Sequence, residues 1–192
     1  MGQYFKAVIA KGDNKEFQVR DVVACWYAGD FGGAKLMEHS YVGNDFVGIV
    51  TDKLAEIGPA RLRWTGDYGD ENAKLYGTHE YNGKVYENNL FQATEDMNIE
   101  DDDWSGKKYR FGINHDKKEY FDLQDCPEDS YGYIVHPLPL LCCDSNGRGG
   151  GDFNQEDHPS YNLIGSWAGD TVSVSFTEPQ GYKKIEPGFI EN

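Results

Sequence analysis

The sequence predicts an α+β fold that is mostly antiparallel β-sheet, with one main helix at about residues 45–57. Three observations support this prediction. The chain is rich in aromatic residues (13 Tyr, 10 Phe and 4 Trp) and contains 23 Gly, which is typical of short strands joined by turns. Two segments have the pattern of a hairpin, and one has apolar residues at helical spacing. With 192 residues, we expect a single domain spanning 1–192.

The first elements are predicted from turn and cap residues. Residues 4–19 contain two apolar stretches around Gly12-Asp13-Asn14 and predict a hairpin, and a further strand should follow in residues 19–33. The helix at about 45–57 should begin at Asn44 or Asp45 and end before Pro59. A strand that runs into a turn is expected in residues 60–71.

The second part of the chain predicts a similar set of elements. Residues 107–123 predict a hairpin that turns at His115-Asp116-Lys117. The two prolines in 131–141 indicate an extended edge segment, and 161–176 predicts two strands joined at Gly169-Asp170. The acidic run 95–104 is expected to be a solvated loop.

Short motifs recur in the two halves of the chain. The segments 43–46 and 150–153 read GNDF and GGDF, and 63–67 and 166–170 read RWTGD and SWAGD. This recurrence predicts an internal duplication of 4–71 and 107–176. The alternative is chance, because turn chemistry restricts which residues follow a strand.

The charge narrows the class of partner. The chain has 18 basic and 33 acidic residues and a formal net charge of −15, which repels phosphate backbones and therefore disfavours ordinary nucleic-acid binding. A strong negative charge also keeps a protein soluble. It can equally attract a protein partner with a basic surface.

The cysteines and histidines give no metal or redox motif. Cys25, Cys126, Cys142 and Cys143 form no C-x-x-C pair, and no two histidines have the spacing of a local metal site. No apolar run is long enough to span a bilayer. We therefore expect a reduced, cytoplasmic protein with no membrane segment, no metal and no cofactor.

A glycine-rich loop is the main candidate binding site. Its backbone N–H groups can converge on an anion, and an arginine can add a bidentate contact to phosphate or carboxylate. The loop lacks the G-x-x-x-x-G-K-[ST] spacing of the Walker loop and the G-x-G-x-x-G spacing of the dinucleotide-binding fingerprint. A purely conformational role for its glycines is therefore the alternative. The candidate residues are Asn146, Gly147, Arg148, Gly149, Gly150, Gly151 and Asp152.

The two W-x-G-D motifs form a secondary candidate site. Trp64 and Trp167 are expected to anchor the core. If the halves are related by a pseudo-two-fold axis, Asp67 and Asp170 would meet and form a two-carboxylate site.

Several segments together resemble a family of proteins from bacteria and their phages whose members have no established activity. They are MGQYFKAV, KLMEHSYVGN, NHDKKEYFDL, NGRGGGD and IGSWAGDTVSV, which cover most of the chain. Members of that family begin with a similar M-G-Q-Y-Y. A phage setting implies a protein directed at the host, for example against its defences, but implies no chemistry.

Three functional hypotheses follow from the sequence. The first is an acidic binding or inhibitory module that engages a protein partner. The second is a binder of a small phosphorylated ligand or nucleotide through residues 146–152. The third is a hydrolase that uses aspartates. The first is preferred narrowly over the second, and an enzyme is the least favoured.

Overall fold

The chain forms an α+β structure with mostly antiparallel strands. The computed structural model describes residues 1–12, 19–69, 78–81, 84–87, 90–94, 97 and 103–191. The helices of these residues are α1 (Leu36–His39), α2 (Asp45–Ile57), α3 (Leu90–Ala93) and α4 (Pro137–Cys142). The strands are β1 (Phe5–Ala10), β2 (Val22–Tyr27), β3 (Ala60–Gly66), β4 (Thr78–Tyr81), β5 (Lys84–Glu87), β6 (Phe111–Asn114), β7 (Glu119–Asp122), β8 (Thr171–Ser175) and β9 (Lys183–Lys184).

One seven-stranded sheet contains strands from both halves of the chain. The strand order is β2-β1-β3-β8-β6-β7-β9, and β4 pairs with β5 in a separate two-stranded sheet. The neighbours in the large sheet are antiparallel, except for the parallel pair of β7 and β9. At the centre, Ala60 pairs with Val172 and Arg61 pairs with Thr171. The predicted fold class is therefore confirmed at the level of an α+β, mostly antiparallel structure.

Helix α2 lies where the apolar spacing predicts a helix. The Asn44 side chain accepts hydrogen bonds from the backbone N–H groups of Phe46 (2.9 Å) and Val47 (3.4 Å), which caps the first turn. Gly58 ends the helix with a φ of +77° and donates its N–H to the Leu54 carbonyl. The apolar face of α2 packs in the same buried core as the large tryptophans.

One of the two predicted hairpins is present, and the other differs from the prediction in the strand that pairs with β1. Strands β6 and β7 pair around the turn at 115–118, as the sequence predicts. Strand β1 pairs with β2, which is the further strand predicted in 19–33. Residues 13–18 of the predicted hairpin lie outside the described residues, and Val19–Asp21 forms a 3-10 helix. The strand predicted in 60–71 is present as β3. Most of the acidic run 95–104 lies outside the described residues.

The prediction of an extended edge segment at 131–141 is wrong in its second half. Pro137 begins helix α4, where the missing N–H and fixed φ of proline are tolerated because the first turn has no intrahelical partner for that N–H. The His136 ring accepts the Leu138 N–H at 3.2 Å and caps this helix. The helix is buried along its whole length.

The first strand predicted within 161–176 is also wrong. Residues Tyr161–Leu163 form a 3-10 helix, and the turn continues because Ile164 donates to the Tyr161 carbonyl at 3.1 Å. Gly165 adopts a φ of +74° and donates to the Leu140 carbonyl, which ties the turn to α4. The second predicted strand is present as β8.

Candidate functional site

The glycine-rich loop is closed at its base by a pair of side-chain contacts. The Asn146 amide donates to the Phe153 carbonyl at 3.0 Å and accepts the Phe153 N–H at 2.9 Å. Gly147 and Gly151 have φ values of +85° and +88°, a region that favours glycine. The loop therefore folds back on itself between Asn146 and Phe153.

The carboxylate of Asp152 occupies the centre of the loop. Its Oδ2 accepts the backbone N–H groups of Arg148 and Gly149, both at 2.9 Å. With the Gln3 side-chain amide in the orientation that satisfies its surroundings, its nitrogen donates to the same oxygen at 3.0 Å. Asp152 is buried, and this burial raises the pKa of its carboxyl group. Two of the amides that the sequence offers to a phosphate are thus already bound to an anion of the chain itself.

The glycines also allow the N-terminal residues to lie against the loop. A Cβ on Gly149 would lie 2.5 Å from the backbone nitrogen of Gln3, so the close approach requires glycine there. Gly150 donates to the Met1 carbonyl at 3.1 Å, and Gln3 donates to the Gly150 carbonyl at 3.4 Å. The conformational role considered from the sequence therefore has a structural basis.

Arg148 contacts the chain after strand β3. Its Nη1 donates to the Tyr68 carbonyl at 3.1 Å. The predicted residues of the loop lie together, but these hydrogen bonds connect the loop to other segments of the protein. This arrangement stabilises a loop and offers less to a bound phosphate than the sequence suggests.

The two tryptophans of the W-x-G-D motifs are core residues. Trp64 and Trp167 are both 0% exposed and belong to the same buried cluster. Trp64 donates its indole N–H to Nε2 of His39 at 2.8 Å, whereas Trp167 donates to a carboxylate oxygen of Glu119 at 3.3 Å. Their predicted role as anchors of the core agrees with this burial.

Asp67 and Asp170 do not meet. Asp170 lies across from Leu62 near the start of the β3–β8 pairing, whereas Asp67 follows the end of β3. Five residues of extended strand separate these positions, about 16 Å at the usual rise per residue. Asp67 accepts the Tyr4 N–H at 2.9 Å, and Asp170 accepts the Asn114 amide at 2.8 Å. The two-carboxylate site predicted from the sequence is therefore not formed.

The cysteines are unsuited to nucleophilic chemistry. All four are free and buried. Burial raises the pKa of Cys142 and Cys143 well above that of an ordinary thiol, so the thiolate is disfavoured. Within the part of the chain that the structure describes, no group of three or more metal-ligating side chains converges. The helices in that part also include none long and apolar enough to cross a membrane.

An exposed loop that carries two tyrosines, which the sequence does not predict, lies before helix α4. Tyr131 and Tyr133 are 84% and 61% exposed. Oδ1 of Asp129 accepts both of their backbone N–H groups at 2.8 Å, and the Asp129 N–H donates to the Tyr133 carbonyl at 2.8 Å. Gly132 completes the turn with a φ of +84°. The loop thus has a defined backbone that holds two aromatic rings in solvent.

Neighbouring residues extend this feature into a larger surface. The Tyr41 ring lies edge-on to the Tyr133 ring at 5.8 Å, and its hydroxyl donates to the Glu191 carboxylate. Burial and then the hydrogen bond to Glu191 raise the pKa of Tyr41. We define the tyrosine face by three tyrosines and three acids, namely Tyr41, Tyr131, Tyr133, Glu128, Asp129 and Glu191.

The sequence does contain a signal for this face. An acidic pair, Glu128-Asp129, precedes Tyr131-Gly132-Tyr133, and a turn that contains Gly and Asp places adjacent side chains in solvent. The prediction for 131–141 rests on its prolines and not on this turn. Tyr41 and Glu191 are far away in sequence, so only the fold brings them to the same surface.

Comparison with known proteins gives no assignment. No protein-family model, no curated protein and no solved structure matches this chain. The resemblance to bacterial and phage proteins therefore stays a prediction.

Proposed function

We propose that this protein is an acidic binding module that engages a basic surface of a protein partner through the tyrosine face. The observation that carries the proposal is the exposure of Tyr131 (84%) and Tyr133 (61%) on a loop whose backbone Asp129 holds in place. Exposed aromatic rings lose contact with water when a partner covers them, and a preformed loop loses little conformational freedom on binding.

The chemistry of the face suits lysine and arginine side chains. Tyrosine rings attract cations over their faces, and the carboxylates of Glu128 and Glu191 lie on exposed residues of the same surface. Tyrosine is also among the residues enriched at protein interfaces. The formal net charge of −15 would accelerate association with a basic partner and repel nucleic acids.

The geometry supports the two other hypotheses less well. A phosphate in the glycine loop would compete with Asp152 for the N–H groups of Arg148 and Gly149. A hydrolase with paired aspartates would need Asp67 near Asp170, and these lie at different ends of β3.

The setting that we propose combines this surface with the family resemblance. A cytoplasmic protein of phage type could use the face to inhibit a basic host protein, for example a component of a defence system. The resemblance supports only the setting, and the tyrosine face supports only the binding.

We also infer that the halves 4–71 and 107–176 arose by duplication. The strand order supports this, because β2-β1-β3 on one side of the sheet corresponds to β7-β6-β8 on the other, with β3 and β8 in contact. Along the chain, helices α1 and α2 lie between β2 and β3, and helix α4 lies between β7 and β8. Comparison of the two halves across many related sequences tests the inference, and similarity no greater than for unrelated β-rich segments would contradict it.

The binding function can be tested with a double variant and a matched control. Tyr131→Ala/Tyr133→Ala removes the two exposed rings, whereas Phe176→Ala removes another exposed aromatic that packs on Tyr109 instead. Each immobilised protein is incubated with cell extract at about 50 mM and about 500 mM salt, and retained proteins are identified by mass spectrometry.

We expect the wild type and Phe176→Ala to retain the same basic protein at low salt and to lose it at high salt. The double variant should not retain it. Asp129→Asn keeps an acceptor for both N–H groups but removes a charge, so it should weaken binding without unfolding the loop. Equal retention by all four proteins, measured again with the purified partner, would exclude the tyrosine face as the binding surface.

A further inference from the structure

Within the tyrosine face, two aromatic rings form a corner beside a carboxylate. The centroids of the Tyr41 and Tyr133 rings are 5.8 Å apart and their planes differ by 64°, so the rings meet edge to face and do not stack. The Tyr41 hydroxyl donates to the carboxylate of Glu191, which is an exposed residue. Segments that are far apart in the chain therefore bring two aromatic rings and an acid to one place on the surface.

The backbone on both sides of this corner is fixed by hydrogen bonds. The Val42 N–H donates to the Ile134 carbonyl at 2.9 Å, and Tyr41 forms an antiparallel bridge with Val135. The carboxylate of Asp129 accepts the Tyr133 N–H at 2.8 Å. The backbone that carries the two rings therefore loses little conformational freedom when a ligand binds.

The Tyr133 ring offers an open surface to a cation. Tyr133 is 61% exposed, although its ring contacts Tyr41. A cation above an exposed tyrosine ring gains about two- to fivefold in affinity from its attraction to the ring electrons. The Glu191 carboxylate adds a Coulombic attraction for the same cation.

The corner suits a guanidinium group better than an ammonium group. A guanidinium is planar and stacks on an aromatic ring, and its N–H groups then point outward in the plane toward a neighbouring carboxylate. An ammonium group is compact and strongly hydrated, and it needs acceptors for three N–H groups. The nearest acids already accept hydrogen bonds, Glu191 from the Tyr41 hydroxyl and Asp129 from two backbone N–H groups. Less of their acceptor capacity remains for an ammonium group.

We propose that Tyr41, Tyr133 and Glu191 form a guanidinium site that selects arginine over lysine in a partner. This inference rests on the proposed function, because it identifies the side chain of the basic partner that the tyrosine face contacts. The guanidinium stacks on the Tyr133 ring and donates to the Glu191 carboxylate. The Tyr41 hydroxyl holds that carboxylate beside the rings.

The test compares peptides of equal length in calorimetric titrations of the full chain at about 50 mM salt. One peptide contains three arginines, one contains three lysines and one contains three trimethyllysines, each separated by glycine and serine. We expect the arginine peptide to bind at least about threefold more tightly than either of the others, because only a guanidinium both stacks on the ring and donates two hydrogen bonds to one carboxylate.

Substitutions on the exposed surface separate the role of the ring from that of its bulk. Tyr133→Leu keeps an apolar side chain but removes the aromatic ring, so the arginine and lysine peptides should bind it equally, whereas Tyr133→Phe should retain the preference. Glu191→Gln removes the charge beside the rings and should weaken the arginine peptide most. As a control, Phe176→Leu removes an exposed ring that packs on Tyr109 and should leave the preference unchanged.

Each contrary outcome has a separate meaning. Equal affinity of the wild type for arginine and lysine peptides overturns the guanidinium site, and the proposed function stands if Tyr131→Ala/Tyr133→Ala abolishes both interactions. A preference that persists in Tyr133→Leu, or tighter binding of the trimethyllysine peptide, overturns the guanidinium site as well. So does the absence of binding by the arginine peptide at about 1 mM. In that case the retention experiment with cell extract decides the proposed function independently.

Discussion

Each half of the molecule buries one tryptophan of a W-x-G-D motif, but the indole N–H groups of the two tryptophans have different hydrogen-bond acceptors. Trp64 stacks on His39 at 5.8 Å and donates to the same imidazole, whose other nitrogen contacts the Gly33 carbonyl at 2.9 Å. Trp167 stacks instead on Phe121 at 5.7 Å and donates to Glu119, a half-buried residue at the start of β7. The first indole thus depends on a buried neutral ring, and the second on a carboxylate that water can reach.

The polar side chains of the GNDF and GGDF segments accept hydrogen bonds from opposite sides of their own positions in the chain. Asn44 accepts N–H groups that follow it and begins the helix α2. Asp152 accepts N–H groups that precede it and closes a loop. A recurring motif therefore indicates recurring turn chemistry, and the structure that follows each copy depends on which backbone groups are near.

The largest difference between the halves should appear when each tryptophan is replaced by phenylalanine. Trp64→Phe leaves Nε2 of His39 buried without its donor and creates a cavity, so we expect a loss of about 3 kcal/mol in the free energy of unfolding. Trp167→Phe should lower it by about 1–2 kcal/mol, because Glu119 can bind water instead. Urea denaturation at pH 7 measures both.

The control for this pair is the combination of Trp64→Phe with His39→Leu, which removes the unsatisfied nitrogen as well. It should recover part of the loss caused by Trp64→Phe alone. Equal losses for the two single variants would show that the polar partner of each indole does not matter.

The sequence predicts much of this fold because its signals are local. Asn44 and Gly58 bound α2, and the turn at 115–118 defines the β6–β7 hairpin, each through its own backbone chemistry. The prediction for 131–141 takes Pro137 and Pro139 as signs of an extended segment at the edge of the sheet, whereas the cap that His136 provides favours helix α4. Whether these residues form an edge segment or a helix depends on their burial in the folded protein, which the local sequence does not indicate.

The candidate sites were predicted less well because their contacts are between distant segments. The role of Gly149 depends on Gln3, and that of Arg148 on Tyr68. The pairing of Arg63 with Asp144 joins residues 81 positions apart (144 − 63). Residue spacing in one sequence does not predict contacts between such distant residues. The sequence can therefore identify candidate residues without showing which other residues they contact.

The second prediction compares the halves through their buried histidines. Burial lowers the pKa of His39 to about 4 and that of His136 to about 3, so both are neutral in the folded protein. In the unfolded chain they titrate near 6.5, so the stability they contribute is present above that pH and is lost as the pH falls toward 4. A shift of this size corresponds to about 3 kcal/mol for His39.

Melting temperatures measured between pH 7 and pH 4 test this expectation. His136→Asn keeps an N-cap acceptor but does not titrate, so the decline with acid should become shallower. His115, whose pKa burial also lowers, is only half-buried and should contribute less. A profile that is flat from pH 7 to pH 4 in the wild type would contradict the neutral state of both rings.

The smallest expected effects come from exchanging the two caps. Asn44→Asp keeps the acceptor and places a negative charge at the N-terminus of α2, which should stabilise the protein by about 0.5 kcal/mol. Asp152→Asn also keeps an acceptor, but no helix follows it, so no such electrostatic gain is lost. Replacing the charge removes a carboxylate whose pKa is raised by burial and weakens its hydrogen bonds to Arg148 and Gly149.

Asp152→Asn removes an unfavourably buried charge, which should stabilise the folded protein, and it weakens two hydrogen bonds, which should destabilise it. The pH dependence of its stability shows which of these two effects is larger. Because the folded pKa is raised, the charged carboxylate disfavours the folded state above that pKa and not below the unfolded value. The stability of Asp152→Asn relative to the wild type should therefore increase from pH 3 to pH 7, whereas Asn44→Asp should gain its charge and its advantage over the same range. If Asp152→Asn instead loses stability relative to the wild type as the pH rises, the loop needs a full negative charge at its centre. The charge of Asp152 would then stabilise the loop through its hydrogen bonds to Arg148 and Gly149, whereas a charge at position 44 would act on the dipole of helix α2.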